Sequence, residues 1–169
     1  ELVWSSDSRK LAFVARMPEE GRYGTLDGVP TDREDPRLIA GNKYQANGLG
    51  YTRDRPRGIY LLEVPSLEED PWLEPRGRAV TGTEEDPRDS RALGGRRGIP
   101  RAPLLTPMDA DCHQPEFTPD GERVYFTAAL HAGEDSDLRT MVYGVPVAGG
   151  APVLVVGGPE SPRAWSRPR

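Results

Sequence analysis

The sequence predicts an all-β fold, a partial β-propeller of about two four-stranded blades carrying two long inserts. Three observations carry the prediction: a phrase that occurs twice, two further strand-like elements that recur in the same order, and a composition rich in turn formers. The phrase comes first. "ELVWSSDSRKLAFVA" (Glu1 to Ala15) and "QPEFTPDGERVYFTA" (Gln114 to Ala128) align without a gap. Trp4 falls on Phe117, Ser5 on Thr118, Asp7 on Asp120, Ser8 on Gly121, Lys10 on Arg123, Leu11 on Val124 and Phe13 on Phe126. Val124 and Phe126 alternate with Arg123 and Tyr125, the period of a strand. Asp120-Gly121 supplies a tight turn, because Gly tolerates positive φ and Asp bonds nearby backbone. Each copy therefore reads as a β-hairpin, with the turn of the first copy weakened by Ser8 in place of Gly.

The second element pairs "GIYLLEVP" (Gly58 to Pro65) with "MVYGVPVAG" (Met141 to Gly149), so that Tyr60 matches Tyr143, Leu62 matches Val145 and Val64 matches Val147. The third pairs "APLLTP" (Ala102 to Pro107) with "APVLVV" (Ala151 to Val156). A third aromatic start follows at Trp165-Ser166, 48 positions after Phe117. Hairpin, strand and strand make four strands per repeat, the content of a propeller blade, and ~40–50 residues is a blade-like period. The first repeat is longer, since Trp4 and Phe117 lie 113 positions apart. The predicted layout is a first blade over 1–110 with inserts at about 17–57 and 66–101, a second blade over 111–160, and the start of a further one over 161–169. The first insert is apolar and aromatic enough to be ordered, as an extra hairpin or in place of a degraded blade. The second, rich in charge, Pro and Gly, reads as a long exposed loop.

Composition agrees and excludes several functions. Nineteen Gly and eighteen Pro among 169 residues favour turns over long helices. The net charge of −5, with cations interspersed among acids, argues against nucleic-acid binding. No apolar run approaches the ~20 residues of a membrane span. The single Cys112 excludes an internal disulfide and points weakly to a reducing compartment, so the expected location is the cytoplasm. A chain that opens inside one repeat and closes inside another is expected to be a segment of something larger.

"WSSDSRKLAF", "FTPDGERVYF", "NGLGYTRDRPRGIYLLEV", "DADCHQPEFTPDG" and "DLRTMVYGVPVAGG" together resemble the N-terminal propeller of the prolyl-oligopeptidase family of serine peptidases, in its acylaminoacyl-peptidase-like branch. The resemblance implies a propeller set over an α/β-hydrolase domain that follows in the same chain. It implies that the propeller limits access of short or N-acylated peptides to the active site. The alternative is a TolB-like propeller acting as a protein-interaction or ligand-binding module. The G-x-S-x-G nucleophile turn of the family is absent from this sequence, so no catalytic residue is carried over. The implied partners are the downstream hydrolase domain and the parent's peptide substrate, with neither nucleic acid nor membrane.

Five features of the chain carry side chains suited to chemistry. Asp109, Asp111, Cys112 and His113 mix hard oxygen with soft sulfur ligands and lack a second His or Cys group, which favours a polar connection over a metal site. "NGLGY" (Asn47 to Tyr51) lacks the third Gly and the strand-to-helix setting of a phosphate loop, and reads as a turn. Glu19-Glu20 would suit a substrate ammonium group, but similar pairs recur at Glu68-Glu69 and Glu84-Glu85, which favours solvated loop charge. Trp4, Phe13, Phe117, Phe126 and Trp165 occupy matching repeat positions and read as packing between adjacent blades. His131 reads as a polar loop residue. No catalytic, cofactor-binding or metal-binding residue is assigned, and no cofactor is expected.

Overall fold

The computed structural model describes residues 1–64 and 102–157. The second predicted insert, the aromatic start at Trp165 and the acid pairs Glu68-Glu69 and Glu84-Glu85 lie outside the described residues. Within them the chain is all-β. In chain order the strands are β1 (Leu2–Trp4), β2 (Lys10–Arg16), β3 (Gln45–Ala46), β4 (Gly50–Tyr51), β5 (Arg57–Glu63), β6 (His113–Phe117), β7 (Arg123–Ala128), β8 (Met141–Pro146) and β9 (Val153–Val156). They form a three-stranded sheet β1-β2-β5, a two-stranded β3-β4 and a four-stranded sheet β6-β7-β8-β9, each antiparallel throughout. The described residues contain two single 3-10 turns and no α-helix.

The repeated phrase folds twice into the same hydrogen-bonded box. In the first copy Ser5 Oγ donates to Asp7 Oδ1 (2.6 Å) and accepts from the Lys10 amide (2.8 Å), while Asp7 Oδ1 also accepts from the Arg9 amide (3.0 Å). In the second, Thr118 Oγ1 donates to Asp120 Oδ1 and accepts from the Arg123 amide (3.0 Å), while Asp120 accepts from the Glu122 amide (3.0 Å). The short side chains bond backbone that would otherwise be left open at the turn. Both turns need one residue in the left-handed region. Gly121 takes φ 70° at little steric cost, and Ser8 takes φ 57° at the same position. The box thus survives the change of residue that weakened the turn signal.

The matched strands agree in register. Phe13 pairs with Tyr60 as Phe126 pairs with Tyr143, and the rings stack at 5.6 Å and 6.0 Å between centroids. The Val64 amide bonds the Arg9 carbonyl (2.8 Å) as the Val147 amide bonds that of Glu122 (2.9 Å). The third element is the exception: Leu104 bridges Tyr60 where Leu154 pairs with Tyr143, one position out of step with the alignment, which sets Leu104 on Val153. The "APLLTP" element is only a bridge, held by Leu61 N to Pro103 O (3.0 Å) and Leu105 N to Ile59 O (2.8 Å). Proline at 103 and 107 removes two donors, so the ladder cannot extend as it does along "VLVV".

The two larger sheets share one core, but they bury opposite faces of the repeat. In the first sheet Ala12, Ile59 and Leu61 are buried, with Val3 and Val14 packed beside them on the same face. In the second, Val124, Phe126, Ala128, Met141, Tyr143 and Val145 are buried. Side chains alternate across a strand, so the face of Phe126 and Tyr143 corresponds to that of Phe13 and Tyr60, not to that of Ala12. Of the matched aromatics, Phe126 is buried in the shared core and Phe117 packs against it, while the face that carries Trp4 and Phe13 has no described sheet against it. Phe126 is 1 % exposed, Phe13 is half-buried, and Trp4 is 50 % exposed. Sequence equivalence places these residues on the same face. A residue is covered only where another sheet lies against that face.

Candidate binding clefts

The first insert begins after β2 and returns to β5, so both its ends are anchored at the Arg16–Arg57 end of the β2–β5 ladder. Its turns are local. Asn47 to Leu49 form the reversal between β3 and β4, with Gly48 at φ 75°, so "NGLGY" is a hairpin turn. Of the two forms the sequence allowed, the insert takes that of an added short hairpin.

The insert is held by a layered group of Arg and Tyr side chains. The Arg37 guanidinium lies 4.6 Å from the Tyr51 ring centroid and 5.4 Å from that of Tyr23, and the Arg55 guanidinium lies 4.6 Å from the Tyr23 centroid. Asp54 is buried, 8 % exposed, and accepts from Arg37 Nε (2.7 Å) and the Tyr23 hydroxyl (3.0 Å). Burial first, and then the hydrogen bond to Asp54, raise the Tyr23 phenol above its ordinary pKa. Pairing and hydrogen bonding keep this buried charge tolerable, while the aromatic faces attract the cation. Beside the group lies a cleft of about 440 Å³, lined by Arg37, Tyr44, Tyr51 and Glu19 among others. Glu20 is absent from its lining, and both acids are exposed, so the pair is not brought together on one cavity.

A carboxylate then joins the insert to the second sheet's loop. Asp135 accepts from the amides of Asn42 (2.7 Å) and Lys43 (3.0 Å) and from Arg53 Nη2 (2.8 Å). Glu134 reinforces it with ion pairs to Arg53 (3.1 Å) and Lys43 (3.7 Å). The two backbone amides, followed by Arg53, hold the Asp135 carboxyl down to about 2. Gly41 admits this approach: a Cβ there would sit 3.0 Å from Asp135 Oδ1 and 3.2 Å from Arg53 Nη2. Asp135 and Arg53 line the first cleft, and Arg53, Lys43 and Glu134 line a second. The clasp is thus the wall between them. No local pattern announces it, because its partners lie 92 and 93 positions apart.

The second cleft, about 460 Å³, receives the Asp109–His113 group. Asp111 accepts from the Arg57 amide (2.8 Å) and from Arg57 Nε (3.1 Å to each oxygen), and lies 3.5 Å from Arg16 Nη1. His113 Nε2 stands 3.2 Å from Asp111 Oδ2. Burial pushes the Asp111 carboxyl up, but His113 and Arg57 outweigh it and hold it far below its ordinary range. Cys112 points elsewhere. Its thiol is fully buried, lies 3.7 Å from the Ala110 carbonyl, and is pushed up to about 11, chiefly by burial. Side chains alternate along this segment, so the sulfur and its acidic neighbours part company. Among the described residues no group of three His, Cys, Asp or Glu could hold a metal ion.

His131 lies on the loop after β7, with Nε2 3.1 Å from both oxygens of Asp137. Among the described residues no helix is long and apolar enough to cross a membrane. No protein-family model matches the chain, and no curated protein matches it.

Proposed function

We propose that the chain is part of a β-propeller that gates the access of short or N-acylated peptides to an α/β-hydrolase active site encoded outside it. The reading rests on the resemblance of its motifs to the prolyl-oligopeptidase family. One structural observation supports it most: two repeats, alike in register, stack through opposite faces. Such head-to-tail contact uses different surfaces on each unit and propagates around an axis, which is how blades are arranged. The Phe126–Tyr143 face is covered by the preceding sheet, and the equivalent Phe13–Tyr60 face would receive a further blade in the same way. Gating then assigns to this segment size exclusion rather than chemistry. The clefts beside the first insert supply polar surface to a passing peptide.

The test is labelling of the full natural gene product with a fluorophosphonate probe, with the 169-residue chain as control. Labelling of the full product and not of the chain is expected. A folded full product that does not react would overturn the peptidase reading and leave the TolB-like binding module to be tested.

A further inference from the structure

We propose that the first cleft binds a short extended peptide with apolar side chains, which lies beside Leu38–Ala40 as a strand partner. From Glu34 to Ala40 the chain runs without turn or bend, but it joins no sheet. Among the described residues, the amides and carbonyls of Leu38, Ile39 and Ala40 bond no other group. These are the donors and acceptors that a strand offers to a neighbour. A peptide laid alongside meets them with its own. An apolar ligand without a main chain would cover them and leave them unbonded, at a cost.

The segment is held at both ends while its middle stays open. Before it, Arg22 donates to the carbonyls of Asp35 and Pro36, and the Arg37 side chain is fixed to Asp54 at 2.7 Å. After it, the Asn42 and Lys43 amides are taken by Asp135 at 2.7 Å and 3.0 Å. Anchored ends spare a ligand much of the cost of ordering a loop. The side chains complete the surface. Leu38 is 93 % exposed and Ile39 47 % exposed, and both line the cleft together with Tyr44 and Tyr51. Those two rings stand 6.3 Å apart between centroids, an aromatic wall for an apolar side chain. The cleft's volume of about 440 Å³ falls within the ~300–1,000 Å³ of small-ligand sites. Main-chain bonds then supply affinity, and the apolar lining selects the side chains.

The proposal deepens the gating reading and rests on it for the source of the peptide, but the experiment reads the two separately. The full gene product is first treated with the fluorophosphonate probe, which reports on the gating reading and blocks any reactive serine. Acetyl-trileucine amide is then titrated into it and followed by calorimetry. Saturable binding is expected. Binding without labelling keeps the cleft and discards the peptidase, whereas labelling without binding overturns the proposal and keeps the peptidase. The ester-backbone analogue retains the leucine side chains but lacks the amide donors between them, and should bind roughly tenfold more weakly or worse. Leu38→Ser should weaken binding by roughly fivefold or more through lost apolar contact, and its exposure leaves the fold little to lose. Leu138→Ser changes an equally exposed leucine of the second cleft and should leave binding unaltered. An ester analogue that binds as well as the peptide would overturn the proposal. So would an affinity indifferent to Leu38→Ser, or one that Leu138→Ser lowers as much.

Discussion

The Asp135 carboxylate accepts the Lys43 amide at 3.0 Å across 92 positions of sequence. This bond, with its partners at Asn42 and Arg53, ties the first insert to the loop between β7 and β8 and divides one cleft from the other. Asp135→Asn should open that wall. Amide hydrogen exchange at Asn42 and Lys43 is expected to quicken, with the Phe126 core unaffected. The wild-type bond has a definite pH window. A folded carboxyl held at about 2, against 3.8 without the clasp, contributes stability that is present above about pH 4 and lost as pH falls through 2. Exchange at these two amides should accelerate over that range, and acid-insensitive exchange would refute the role given to Asp135.

Phe126 and Phe13 are equivalent in sequence and unequal in burial, so their truncation separates packing from pattern. In the 169-residue chain, Phe126→Ala should cost about 3–5 kcal/mol, the range for a buried ring replaced by a cavity. Phe13→Ala should cost roughly 1–2 kcal/mol, since part of its surface never left water. Urea denaturation of both variants measures the difference. In the full gene product the gating reading predicts that the two costs converge, because a further blade would cover Phe13.

The hairpin boxes should be interchangeable in energy. Thr118 is only 7 % exposed, and Thr118→Val removes a hydroxyl that engages both the amide and the carbonyl of Arg123. The loss should be about 1–3 kcal/mol, the usual effect of stranding a shielded partner. Ser5→Ala deletes the same contacts to Lys10 and should lose a similar amount. Equilibrium unfolding that finds one box inert would show the turns to be held by backbone alone.

Cys112 should be chemically silent in the folded chain. Burial raises its thiol to about 11, so almost no thiolate exists near pH 8. Iodoacetamide should modify it only after denaturant exposes it. Because the folded value lies above the ordinary 9.0, the neutral thiol contributes stability that is complete below pH 9 and declines as pH rises towards 11. Rapid labelling under native conditions would contradict its placement in the core.

Much of the architecture is legible in the sequence because it is built from short-range rules. Period-two alternation marks β2, β5, β7 and β8; Asp120-Gly121 marks a turn; and the gap-free alignment of Glu1–Ala15 with Gln114–Ala128 predicts that both copies fold alike. The Ser5 and Thr118 boxes confirm that prediction at the level of single hydrogen bonds. For the third element the pattern finds the segment but misses the register by one: the alignment sets Leu104 on Val153, whereas the pairing sets it on Leu154. Proline then decides that one becomes a bridge and the other a strand.

What the tertiary structure alone decided is which faces are covered and which charges meet. The alignment gives Phe13 and Phe126 the same role, but burial depends on a neighbouring sheet, and period two carries no information about neighbours. The clusters follow the same logic. Cys112 sits between Asp111 and His113 in the chain, yet the pleat turns it into the core while they face a cleft. Arg16 and Arg57 become partners only when β2 and β5 pair. Asp135 meets Asn42 and Lys43 only after the insert folds back. Local propensities act over a few residues and survive in the sequence as periodicity. Long-range electrostatic contacts depend on how the finished sheets stack, and leave no periodic trace.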